Sequence, residues 1–104
     1  MMMTAPDVIA KLTLYPVEQG GRKSATPSDY LGCIFEFEGE YFDCRLLLGD
    51  FGPLLPGTRA TVPIKFLSPE LVRERLQNGS RFILREVEPI GEGVVQEIST
   101  LDSC

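Results

Sequence analysis

Apolar and polar residues exchange places at every second position over much of this chain, the period of β-strands whose two faces meet different surroundings. The clearest case runs from Cys33 to Leu48. With a two-residue turn at Gly39-Glu40, Glu38 faces Tyr41, and Cys33, Phe35, Phe37, Phe42, Cys44 and Leu46 share one face. Ile34, Glu36, Glu38, Tyr41, Asp43 and Arg45 share the other. Looser turns around the same residues would keep each strand's own alternation. This register makes Cys33 and Cys44 diagonal neighbours on the apolar face, where they read as small buried thiols. It also gathers Glu36, Glu38, Glu40 and Asp43 on or beside the outer face. Like charges across a strand pair are mildly destabilising. The cluster is therefore either a solubilising edge or an acidic partner surface.

The remaining segments fit the same plan. Residues 7–15 are strand-like and stop at Pro16, and residues 18–29 form a polar loop long enough to suggest a function. Pro56-Gly57 suits a type II turn, and residues 58–67 then carry Ala60, Val62, Ile64 and Phe66 at alternate positions. Ser68-Pro69-Glu70 has the chemistry of a helix start, which predicts a short helix over 70–77 closed by Asn78-Gly79. Two further strands are expected over 80–87 and 90–98. The sum is an all-β domain of six strands and one short helix over 7–98, with a flexible N-terminus over 1–6 and a tail over 99–104.

Composition narrows the chemistry. A chain of 104 residues with 43% hydrophobic and 24% charged residues has the make-up of one globular core. The absence of His removes Ser-His-Asp and Cys-His dyads and every His-bearing zinc site. Cys33, Cys44 and Cys104 form neither an even disulfide framework nor a CxxC pair, so no metal site and no cofactor are expected. Cys104, at the end of the tail, is the thiol expected to be most open to oxidation. The first six residues lack the basic start and apolar stretch of a signal peptide, and no run approaches the ~20 apolar residues that cross a bilayer. A cytoplasmic protein without a membrane partner is the expectation. Fifteen acidic against ten basic side chains, a net charge of −5, argue against DNA and against avid non-specific binding to nucleic acid.

Several short motifs together resemble a known family. Glu18 followed by Gly20-Gly21-Arg22, the Pro56-Gly57 turn, Gly79-Ser80-Arg81-Phe82-Ile83-Leu84-Arg85-Glu86 and Gly91-x-Gly93-Val94-Val95 are similar, in order and spacing, to the C-terminal β-barrel domain of elongation factor Tu. The resemblance spans residues 7–98 and implies a six-stranded antiparallel Greek-key β-barrel. Physical readings stand beside it: paired glycines permit a tight loop, and Gly91 and Gly93, on one face of a strand, suit the close backbone approach of a small barrel.

In that family the GTPase is a separate domain with a GxxxxGK[ST] phosphate loop, which this sequence lacks, so GTPase activity is excluded for this chain. The family domain touches aminoacyl-tRNA and a nucleotide-exchange factor, and the resemblance carries such contacts to Gly20, Gly21, Arg22, Lys23 and Tyr30, with Arg81 and Arg85 as further candidates. Two departures remove positive charge. The basic turn after the family's Arg-Glu pair becomes Val87-Glu88-Pro89-Ile90, and a Tyr-Arg-Pro-Gln stretch becomes Tyr30-Leu31-Gly32-Cys33. Counterion release needs several basic contacts, so a protein partner is expected ahead of tRNA or other RNA. An acid pair such as Glu36 and Asp43 would suit general acid–base work but stands on an outer strand face. A non-enzymatic binding module is the expectation, with no catalytic residue assigned.

Overall fold

Each alternating segment of the sequence becomes a strand in the computed structural model, which describes residues 5–99. The strands are β1 (Val8–Leu14), β2 (Tyr30–Phe37), β3 (Glu40–Leu47), β4 (Arg59–Phe66), β5 (Arg81–Arg85) and β6 (Pro89–Ile98). They close into a barrel in the order β1-β4-β3-β2-β5-β6, every neighbouring pair antiparallel. Closure leaves β1 paired on both sides, to β4 and to β6, which removes the exposed sheet edges that an open sheet would carry. The proposed flexible N-terminus and tail fall almost wholly outside the described residues, and Cys104 lies outside them. Among the described residues no helix is long and apolar enough to cross a membrane.

The interior is filled from alternate positions of every strand. Phe35 lies at its centre, stacked on Phe82 at 4.1 Å between ring centroids and edge-on to Phe66 at 4.8 Å. Leu12, Leu46, Ile64 and Leu84 are fully buried around them. Gly93 makes room for this cluster. A Cβ at that position would stand 2.5 Å from the Phe82 ring and 2.9 Å from the Lys11 carbonyl oxygen. The close approach expected of that glycine is thus a requirement of the aromatic packing.

The β2–β3 hairpin has a different register from the expected one. Its turn is Glu38-Gly39, not Gly39-Glu40: Phe37 faces Glu40, Glu36 faces Tyr41, and Cys33 directly faces Cys44. Both central residues have positive φ, +52° at Glu38 and +81° at Gly39, the requirement of a type I′ turn whose twist matches the flanking strands. The two registers differ by two residues and therefore bury the same side chains. Alternation cannot choose between them; the turn does. The correction brings the two thiols from diagonal to opposite positions, with their sulfurs 3.7 Å apart. It also separates Glu36 from Asp43, which now faces Ile34.

The short helical segment takes the form of two successive 3-10 turns, Pro69–Leu71 and Arg73–Arg75. Pro69 begins the first turn as expected, but Ser68 makes no side-chain cap. Val72, at φ −132°, interrupts regular helix between them. That break allows both Val72 and Leu76 to be buried in the core. Asp7 ties this segment to the barrel. Its buried carboxylate accepts a 2.8 Å hydrogen bond from the Phe66 N–H and lies 3.5 Å from Lys65 and 3.8 Å from Arg73.

Candidate protein-docking surface

The basic loop is built from glycines whose roles differ. Pro16 leads into a 3-10 turn over Val17–Gln19, ended by Gly20 at φ +92°. Gly21 then passes so close to the preceding backbone that a Cβ there would lie 2.0 Å from the Tyr15 carbonyl oxygen. This turn delivers Arg22 inward rather than to a partner. Its guanidinium donates to the Ser24 and Ala25 carbonyl oxygens and meets the Glu86 carboxylate at 2.6 Å, leaving the side chain 18% exposed. Arg22 therefore fastens the loop to the end of β5. Lys23 is exposed and makes no ion pair among the described residues. The two adjacent cations thus have different surroundings, Arg22 engaged within the fold and Lys23 open to solvent.

The acidic cluster is likewise divided. Glu36 pairs with Arg85 at 3.1 Å, while Arg75 reaches Glu38 and Glu40, each at 3.1 Å. Hydrogen bonds to Glu38 and then Glu40 hold the Arg75 guanidinium above its ordinary pKa. Asp43 is the member that makes no ion pair among the described residues. Arg81 and Arg85, four residues apart on one strand, border separate grooves. Arg81 lines a hollow of about 390 Å³ with Lys11, Glu36, Glu38 and Glu92 across the outer faces of β1, β6, β5 and β2.

Arg85 borders the more distinctive feature, a groove of about 640 Å³ between the outer face of β2–β3 and the turn that follows β5. Tyr30, Ile34, Asp43, Arg45, Leu67 and Val87 surround it, with Gly32 on β2. Three of its apolar side chains are strongly exposed: Tyr30 at 45%, Leu67 at 56% and Val87 at 87%. The Arg45 guanidinium stacks over the Tyr30 ring at 4.9 Å, and that of Arg85 over Tyr41 at 5.4 Å. A second hollow of about 480 Å³ adjoins it, sharing Tyr30, Arg45 and Leu67 and adding Lys65.

The structure thus brings together three sequence candidates, Tyr30, Asp43 and Arg85. It adds Gly32, Arg45, Leu67 and Val87. Leu67 carried a signal, since it follows the inward Phe66 and must face outward by strand period. Val87 had none, because its exposure depends on where β5 ends. Among the described residues no group of three or more His, Cys, Asp or Glu is arranged to hold a metal ion. No protein-family model matches the chain, and no curated protein matches it.

Proposed function

We propose that this chain is a non-enzymatic protein-binding module, of adaptor, inhibitor or immunity type, built on a barrel of the elongation factor Tu C-terminal domain kind. The observation that carries this reading is the exposure of Tyr30, Leu67 and Val87 around one groove framed by Arg45. Large apolar side chains gathered in one exposed place mark an interaction surface rather than a solvated face. Tyrosine and arginine are also the residue types that dominate binding energy at the centres of interfaces. An RNA role through the Gly20–Arg22 loop is less well supported, because Arg22 is engaged with Glu86 and two loop carbonyls.

Affinity capture followed by mass spectrometry, with and without nuclease, tests the reading. The same protein partner should be recovered in both arms by the natural chain and lost with Val87→Asp, a substitution at a site exposed enough to leave the fold intact. Recovery that disappears on nuclease treatment, or a Val87→Asp variant that retains every partner, overturns it. A salt-dependent shift of tRNA that Lys23→Ala weakens would favour the RNA reading instead.

A further inference from the structure

The β2–β5 ladder is short. It consists of Ile34↔Arg85, Phe35↔Leu84 and Glu36↔Ile83, whereas β2 pairs with β3 from Tyr30 to Phe37. The two-residue turn makes Phe37 and Glu40 a hydrogen-bonded pair, so residues 31, 33, 35 and 37 direct their backbone groups to β3. Those of 30, 32, 34 and 36 point the other way. Ile34 and Glu36 meet β5 there; beyond Ile34, β5 has ended. The Tyr30 N–H is taken by the Asp29 carboxylate at 2.9 Å. Among the described residues no turn or loop hydrogen bond reaches Gly32. Its N–H and carbonyl, with the Tyr30 carbonyl, form a short open edge of the barrel.

The side chains around that edge select an occupant. Across β3 and β2, Asp43 and Ile34 stand in one row with Arg85 of β5, whereas Arg45 and Gly32 stand in the next row with no β5 residue paired beyond them. Two strand spacings, about 10 Å, separate β3 from the vacant strand position, and Gly32 places no side chain in between. Arg45 makes no ion pair among the described residues and lies opposite Lys65, another cation, on β4. Like charges facing each other cost stability unless something answers them. Lys65 is partly answered by Asp7. Arg45 is left to an incoming carboxylate, while Val87, Leu67 and Tyr30 supply apolar contact.

Resting on the docking role above, we propose that the groove binds an extended segment of a partner protein as an added strand against β2. That segment places a carboxylate in the Arg45 row and an apolar side chain against Val87. Main-chain hydrogen bonds to Gly32 supply affinity and the side-chain row supplies specificity, the logic of strand addition. Gly32 is then a functional glycine. A Cβ at position 32 would meet nothing within 4 Å, so the fold does not demand glycine there.

A displayed library of random linear 12-residue peptides is the probe. Selection on the natural chain should enrich peptides bearing Asp or Glu beside a β-branched or aromatic residue. Binding of a selected peptide should slow hydrogen exchange at the Gly32 amide at least tenfold. Gly32→Val should stay folded, with an unchanged or raised melting temperature, and lose at least tenfold in affinity. Arg45→Glu should lose as much and shift selection toward basic peptides. Failure to enrich any linear peptide, full affinity in Gly32→Val, or an unprotected Gly32 amide overturns the strand-addition mode. The broader binding role stands or falls separately, on whether capture of a folded partner depends on Val87. Binding of oligonucleotides in competition with the peptides would also overturn the proposal.

Discussion

Glu38 holds φ at +52° in the β2–β3 turn, a conformation that costs an L-residue about 1 kcal/mol. In exchange its carboxylate pairs with Arg75, but both groups are well exposed and Glu40 shares the same guanidinium. Solvent screens exposed pairs of this kind, so they contribute little. Asparagine tolerates the left-handed region and precedes glycine in the favoured turn of this type. Glu38→Asn is therefore expected to raise unfolding stability by about 0.5 kcal/mol, read as a higher urea midpoint with an unchanged slope; a lower midpoint would show the ion pair to outweigh the backbone. At this scale the sequence was legible where a residue acts through its own backbone. Gly20 and Gly21 could be read as a tight loop from their type alone. Arg22 could not be read, because its partner Glu86 is 64 positions away, and only folding decides whether a basic side chain faces solvent or meets a distant acid.

Pairing of β2 with β3 sets Cys33 and Cys44 face to face, and this has a consequence for pH. The hydrogen bond with Cys33, followed by burial, pushes the Cys44 thiol well above its ordinary 9.0. In the unfolded chain the same thiol ionises near its ordinary value. Its contribution is thus fully present below about pH 9 and is lost as pH rises toward the folded value, since the unfolded state then sheds a proton that the folded state keeps. Tyr15, raised by burial and by its hydrogen bond to Glu92, acts in the same direction above its ordinary 10.0. Unfolding free energy measured in urea should therefore fall from pH 9 to pH 10.5, and Cys44→Ala should flatten the slope although it lowers stability at neutral pH. A slope unaffected by Cys44→Ala and by Tyr15→Phe would contradict the assignment. The strands themselves were legible from their period, whereas the register between two of them was not, because a two-residue shift leaves every buried side chain on the same face.

Asp7 acts across the whole molecule. It joins β1 to the backbone of β4 through Phe66, lies near Lys65 and Arg73, and through its own carbonyl accepts from the Ser99 N–H at 2.8 Å. Four regions far apart in the chain meet at this one residue. Asp7→Ala would leave the Phe66 N–H unpartnered in the interior and remove the carboxylate beside Lys65 and Arg73, at a cost of about 3 kcal/mol. Asp7→Asn, which keeps an acceptor for Phe66, should cost roughly half as much; equal losses in thermal or urea unfolding would mean that charge, not the hydrogen bond, is the main contribution. Nothing in the sequence marked Asp7 beyond its place before a strand, since its partners are 57 to 92 residues distant.

Single-chain periodicity determined that this protein is all-β, how many strands it has, and which side chains face its core. Those properties follow from the exposure of alternate positions, a local matter that burial enforces wherever the strands end up. Tertiary structure decided the rest: which strands are neighbours, where β5 stops short, and which charges find partners. The acidic residues that alternation gathered into one cluster were dispersed by Arg75 and Arg85, each brought from a distant segment. Arg45, Gly32, Leu67 and Val87 became one surface only when the barrel closed around a ladder three pairs long. Period fixes a residue's face, but only packing fixes its neighbours, and recognition depends on neighbours.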